Sequence, residues 1–132
     1  MKIWGATDQG MVRKQNQDYY RHQRLSDTQT LAVVCDGMGG SKSGDVASRL
    51  ASEVFLQDVE QSVFPNMEQA DIVEMLVAAV KNANRAVYEQ SKVSADFDGM
   101  GTTLVSIFLQ DRDAYILNVG DSRCYYVAGD DI

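Results

Sequence analysis

Leu31-Ala32-Val33-Val34-Cys35 runs straight into Asp36-Gly37-Met38-Gly39-Gly40, and the change of character at Asp36 organises everything around it. The apolar, partly β-branched run predicts a buried strand that ends at Asp36-Gly37. A carboxylate closing such a strand is held rigidly while it faces a loop. The glycines beyond it let the main chain pass close to whatever that carboxylate binds. Hard divalent cations take carboxylate and carbonyl oxygens, and Asp36 followed by the unshielded Gly37 carbonyl can supply both. An Asp-Gly pair alone is more often a plain turn with an aspartate cap. Gly37, Gly39, Gly40 and Gly44, all set between strand and helix, reduce that advantage.

Strand, glycines, Lys42-Ser43 and helix also resemble a phosphate-binding loop, but the spacing fails. That loop needs glycine directly before the lysine and another five residues earlier. Those positions hold Ser41 and Asp36, and the aspartate would repel phosphates. The dinucleotide fingerprint fails too, because Lys42 stands where its third glycine belongs.

Working outward, Ile3–Thr7 and Tyr19–Arg24 read as short strands. Beyond the glycines, Ser43 is a plausible N-cap for a helix whose stripe is Val46, Leu50 and Val54, with Ala47, Ala51 and Phe55 beside them. Pro65-Asn66 interrupts the pattern. Asn66 with Gln69 fits a capping box for a second helix, buried through Ile72, Leu76, Ala79, Val80, Ala83 and Val87. From Gly101 the period changes to 2. Thr103–Leu109, Ala114–Val119 and Arg123–Ala128 read as consecutive strands, the first two joined by Gln110-Asp111-Arg112-Asp113. Strands, two helices, then a meander predict an α+β fold with antiparallel sheet.

The 132 residues suffice for one domain with a real core. A net charge of −7 and a pI near 4.5 make nucleic acid and anionic membranes unsuitable partners. The same surface would repel a phosphorylated substrate, so a phosphate-handling site here requires metal ions or arginines. No apolar stretch has the length of a signal peptide or a membrane span, and a cytoplasmic location is expected. Cys35 and Cys124 lack metal-knuckle spacing and read as buried, reduced thiols.

Two further clusters carry chemistry. Asp121 sits beside Gly120 in Val119-Gly120-Asp121-Ser122-Arg123, alone a hairpin turn. In Arg13-Lys14-Gln15-Asn16-Gln17-Asp18, alone a solvated loop, Arg13 offers a planar fork to a phosphoryl group and Asp18 can hold a metal-bound water. Taken in order, Asp8-Gln9-Gly10, Arg13, Asn16-Gln17-Asp18, Asp36-Gly37-Met38-Gly39-Gly40 with Gly44 and Ala47-Ser48, Gly99-Met100-Gly101-Thr102-Thr103, and Val119-Gly120-Asp121-Ser122-Arg123 resemble the bacterial metal-dependent serine/threonine protein phosphatases of type 2C. The resemblance extends over residues 1–132 as the N-terminal portion of a single such domain.

The resemblance implies an antiparallel β-sandwich flanked by helices (αββα), here its N-terminal part, with a two-metal centre at one end. It implies Mn2+ or Mg2+, two ions and a third, weaker site in the complete domain. Asp36 would bridge the ions, Gly37 would lend its carbonyl, Asp18 would sit near the bound waters, and Asp121 would serve the third site. Arg13 would bind the substrate phosphate, and Gly101-Thr102-Thr103 would be a packing and turn element without chemistry. The reaction implied is hydrolysis of phosphoserine or phosphothreonine in proteins by a metal-bound hydroxide, without a phosphoenzyme. Phosphorylated proteins and a cognate serine/threonine kinase are the partners implied.

Two features depart from the family pattern. Met38 stands where eukaryotic members carry a histidine general acid, as is common in bacterial members, and the sole histidine, His22, lies elsewhere. Family domains are also longer, with further metal-ligand aspartates expected beyond Ile132. The segment alone is therefore expected to be inactive, and to dimerise or need its missing C-terminal half, since half a sandwich exposes sheet edges and apolar faces. The alternative is a non-catalytic binding or regulatory fragment of that fold.

Overall fold

The computed structural model describes residues 1–40 and 43–132, so Ser41 and Lys42, on which the phosphate-loop comparison turned, lie outside the described residues. Strand β1 (Asp18–Arg24) pairs antiparallel with β2 (Gln29–Met38). After helices α1 (Ser43–Ser62) and α2 (Gln69–Ser91), a short 3-10 turn leads to β3 (Gly101–Thr102), β4 (Leu104–Gln110) and β5 (Asp113–Val119). β2 also pairs with β3 and β4, and β4 pairs with β5, all antiparallel. The sheet order is β1-β2-β4-β5, with β3 beside the end of β2.

One face of the sheet is dry. Leu31, Val33 and Cys35 of β2 and Leu104 and Phe108 of β4 meet Ala47, Ala51, Phe55 and Val59 of α1 and Ile72, Leu76, Ala79 and Ala83 of α2. Burying a Phe or Leu side chain contributes about 1.5–3 kcal/mol, so this layer supplies most of the driving force. Buried Gln110 fastens the helix connection to the sheet, donating to the Met67 carbonyl (2.9 Å) and accepting from the Met67 N–H (3.0 Å) and from Gln29 (2.9 Å). Of the expected helix–sheet–sheet–helix stack, the described residues build one helix layer and one sheet. On the opposite face the register sets Tyr20, Val34, Val105 and Asn118 in one row and His22, Ala32, Ile107 and Ile116 in the next. Val34 is 46% and Ile116 53% exposed.

Several expectations are corrected. The N-terminal residues 3–7 form no strand; Tyr20 Oη donates to the Gly5 carbonyl (3.1 Å), and no main-chain ladder forms. β2 does not stop at Cys35 but continues through Asp36 to Met38, because β1 and β3 extend the pairing there. The buried residues of α1 are Ser43, Gly44, Ala47, Ser48, Ala51, Ser52, Phe55 and Val59, with Val46, Leu50 and Val54 half-buried at the margin. Small residues let the helix lie close to the sheet. The capping box is absent: α2 is capped at Glu68 without a side-chain bond, and Asn66 takes a left-handed turn conformation (φ +54°). The hairpin between β4 and β5 is tighter than expected, only Asp111-Arg112. Residues 123–128 form no strand beyond one isolated bridge, Ala128 to Asp131, because a strand needs a partner and none pairs with them. Cys124 on that segment is exposed, while Cys35 is buried as expected.

Candidate active site

Asp36 lies inside the pairing, and its direct partner across the strands is Asp18 of β1. Like charges placed opposite one another repel. The Asp18 carboxyl is accordingly held above its ordinary value of 3.8, by partial burial first, then by the hydrogen bond and charge of Asp36, with the Arg13 guanidinium pulling the other way. Two acids strained in this way form an oxygen-only donor set that suits a hard divalent cation, whose charge would reverse the repulsion. The Asn16 carboxamide oxygen accepts the Asp18 N–H (3.0 Å) and fixes the start of β1.

The glycines after Asp36 serve packing as much as binding. Gly37 is buried, and a β-carbon on it would overlap the Gly44 carbonyl and lie 2.8 Å from the Gln17 carbonyl oxygen. Its N–H donates to that same Gln17 oxygen (3.1 Å), which also accepts the Ser48 hydroxyl (2.6 Å). The loop before β1, the end of β2 and the second turn of α1 thus converge on one carbonyl.

On the other side of β2 the ladder is modified at Asp36. Its carbonyl accepts the Thr103 N–H (2.9 Å), but its own N–H donates to the Thr103 hydroxyl (3.0 Å) in place of a main-chain carbonyl. The Thr103 hydroxyl also meets the Ser122 hydroxyl at 2.5 Å, in the turn that carries Asp121. Gly120 has φ +100°, and a β-carbon there would come 2.8 Å from the Thr103 methyl.

Arg13, Asp36, Gly37 and Asp121 line a single open cleft of about 530 Å³, together with Lys14 and Thr103. Arg13 and Lys14 supply the local positive charge that the acidic surface demanded, and Arg13 forms no ion pair among the described residues. Asp18 borders a separate, narrower cleft beside the N-terminal segment and reaches the site through Asp36. Among the described residues, no three acidic, histidine or cysteine side chains converge closely enough to hold a metal ion. Met38 is half-exposed in the cleft, and His22 lies in β1 opposite Ala32. Thr103, Ser122 and Gln17 stand inside the quoted motifs, but sequence reasoning assigned Thr103 only a packing and turn role and the other two none. A signal for Thr103 existed, since two adjacent hydroxyls before an apolar strand can take over main-chain bonds.

The Protein phosphatase 2C family model matches residues 11–132. The chain belongs to that family. It is 35% identical over 119 residues to the serine/threonine phosphatase stp of Listeria monocytogenes serotype 4b, covering 90% of this chain and 47% of that protein. The chain spans about half the length of the curated relatives it matches first. The serine/threonine phosphatase Stp1 from Staphylococcus aureus superposes with a TM-score of 0.79 at 35% identity, over 89% of this chain and 46% of that one. The catalytic domain of the serine/threonine protein phosphatase PstP, solved in complex with two manganese ions, gives 0.69 at 33% identity, over 88% and 46%. The antiparallel sheet with its two helices is thus the N-terminal part of a bacterial type 2C phosphatase domain. No described helix is long and apolar enough to cross a membrane.

Proposed function

We propose that the protein containing this chain hydrolyses phosphoserine or phosphothreonine in phosphorylated proteins at a two-metal centre, with Mn2+ or Mg2+, in the cytoplasm and opposite a cognate kinase. One observation carries the reading: separate stretches of sequence deliver Arg13, Asp36, Gly37 and Asp121 to the same cleft. Asp36, the Gly37 carbonyl and Asp18 are the groups that would hold the principal ions, and Asp121 would serve a further, weaker site. A bound cation pair supplies a water acidic enough to act near neutral pH and positive charge beside the phosphoryl oxygens.

The chain's own residues divide the remaining work. Arg13, exposed and without an ion-pair partner among the described residues, grips two phosphoryl oxygens through its fork and orients phosphorus in the cleft. Met38 carries no transferable proton, so the departing serine or threonine oxygen takes its proton from water in the cleft. Neither thiol serves as nucleophile. Burial pushes Cys35 up to about 12, and Cys124 lies outside the cleft. Direct hydrolysis is therefore favoured over a covalent phosphoenzyme.

The test is manganese-dependent hydrolysis of a phosphopeptide by the full-length protein and by its Asp36→Asn variant. Loss of turnover in the variant supports the assignment, and unchanged turnover refutes it. A second reading, a non-catalytic fragment of this fold, draws support from the absence of a three-ligand cluster among the described residues. Calorimetry of residues 1–132 with manganese separates the two: weak binding agrees with an incomplete site, whereas tight two-site binding with robust turnover removes the second reading.

A further inference from the structure

Thr103 holds both main-chain polar groups of Asp36, the carbonyl through its N–H (2.9 Å) and the N–H through its hydroxyl (3.0 Å). A hydroxyl has one donor and two acceptor lone pairs. With one lone pair of Thr103 taken by Asp36, the 2.5 Å contact to the Ser122 hydroxyl uses either its remaining lone pair or its proton. Thr103 is 2% exposed, so water does not replace a lost partner. The Asp121 turn is tied to this point by the Ser122 hydroxyl, and the Asn118 side-chain amide, donating to the Ser122 carbonyl (3.0 Å), closes the turn on itself. The Thr102 hydroxyl donates to the Thr103 carbonyl (2.8 Å), a local side-chain bond beside the modified rung of the ladder.

We propose that Thr103 and Ser122 form a hydroxyl relay that positions Asp36 and couples it to Asp121, so that occupancy at one carboxylate is felt at the other. These are positioning residues, since neither is assigned to metal or substrate. The coupling runs through two hydrogen bonds, Asp36 N–H to the Thr103 hydroxyl and the Thr103 hydroxyl to that of Ser122. Moving the Asp121 turn must move Ser122, whose hydroxyl bonds the one residue that holds the Asp36 main chain. The inference rests on the proposed metal role of Asp36, and its test separates the two.

The experiment is a calorimetric manganese titration of the full-length protein as wild type, Thr103→Val, Thr103→Ser, Ser122→Ala and Asp36→Asn, with melting temperature measured alongside. Thr103→Val keeps the shape and loses the hydroxyl, and should weaken manganese binding about tenfold, the low end for loss of an outer-shell partner. Thr103→Ser keeps the hydroxyl and should bind as wild type. Ser122→Ala, in a half-exposed turn where misfolding is not expected, should weaken binding and should also speed hydrogen exchange of the Asp36 amide in the metal-free protein. The Thr103→Val/Ser122→Ala double variant should match Thr103→Val, because one chain of bonds is being cut twice. If Asp36→Asn abolishes binding while Thr103→Val and Ser122→Ala titrate as wild type, the relay is wrong and the metal assignment stands. If Asp36→Asn also binds as wild type, the metal assignment fails first.

Discussion

Gly37 of β2 and Gly44 of α1 meet main chain to main chain, with no room for a β-carbon on Gly37. The neighbour that blocks it is backbone at the start of a helix, which cannot swing aside as a long side chain can. Gly37→Ala should therefore cost about 3 kcal/mol by overpacking and reduce phosphatase activity with it. Gly40→Ala, where a β-carbon meets nothing among the described residues, should stay within about 0.5 kcal/mol of wild type. Chemical denaturation of the two variants side by side decides the matter. Equal stabilities would show that the contact gives way.

Arg13, proposed above to grip the phosphoryl group, is exposed and free of ion pairs among the described residues, so little of the fold depends on it. Arg13→Ala should leave the melting temperature unchanged and lower kcat/KM for a phosphopeptide by about a hundredfold, the size expected for losing one preorganised charge donor. Arg13→Lys should recover only part of this, because a point charge replaces a planar fork. Manganese affinity should not move in either variant.

The Asp18–Asp36 pair gives the metal-free protein a pH dependence of definite sign. The folded-state value of Asp18 lies above its unfolded 3.8, through burial and then Asp36. A raised carboxylate contributes stability that is present below the unfolded value and lost as pH rises through the folded one. Asp18→Asn should thus raise the melting temperature of the metal-free protein at neutral pH and leave it unchanged well below pH 3.8. A thermal melt series against pH with chelator present measures this. A stabilisation that persists at the acid end would assign the effect to something other than charge.

Much of this architecture is legible in the residues, and the failures share a cause. The Leu31–Cys35 strand, both helices and the β4–β5 hairpin follow from local periodicity and turn chemistry, which short windows carry. Asp36, Gly37 and Asp121 emerge as candidates because each acid stands at a strand end beside a glycine, and Arg13 because the ordered motifs resemble the family's. Thr103 and Ser122 do not, since their meaning depends on a contact between residues 19 apart in sequence. Residues 123–128 alternate like a strand, yet alternation expresses only a willingness to pair. Val46, Leu50 and Val54 form the margin of the stripe whose centre is Ala47, Ala51 and Phe55, because the small residues win the close approach to the sheet.

The two thiols should differ sharply. Cys124 is exposed, while burial lifts Cys35 to about 12 from 9.0, a hydrogen bond with Thr102 pulling partly back. A thiol reagent at pH 8 should modify one cysteine in the native protein and the second only on unfolding, since the thiolate is the reactive form. The same shift predicts stability that is constant below pH 9 and falls between pH 9 and about 12, where the unfolded thiol ionises and the folded one does not. Two equally fast cysteines at pH 8 would contradict the burial of Cys35.

Val34, Ile107 and Ile116, in two adjacent rows on the far face of the sheet, have a practical consequence. Burial of one face pays for the fold, and the other offers water a patch of branched hydrocarbon crossing three adjacent strands. A polypeptide trimmed to these residues should therefore behave as an adhesive, with light scattering that rises with concentration and falls when mild detergent is added. Lysine placed at Val34 and Ile116 together should quiet that scattering without disturbing the dry side, making the piece tractable for spectroscopy.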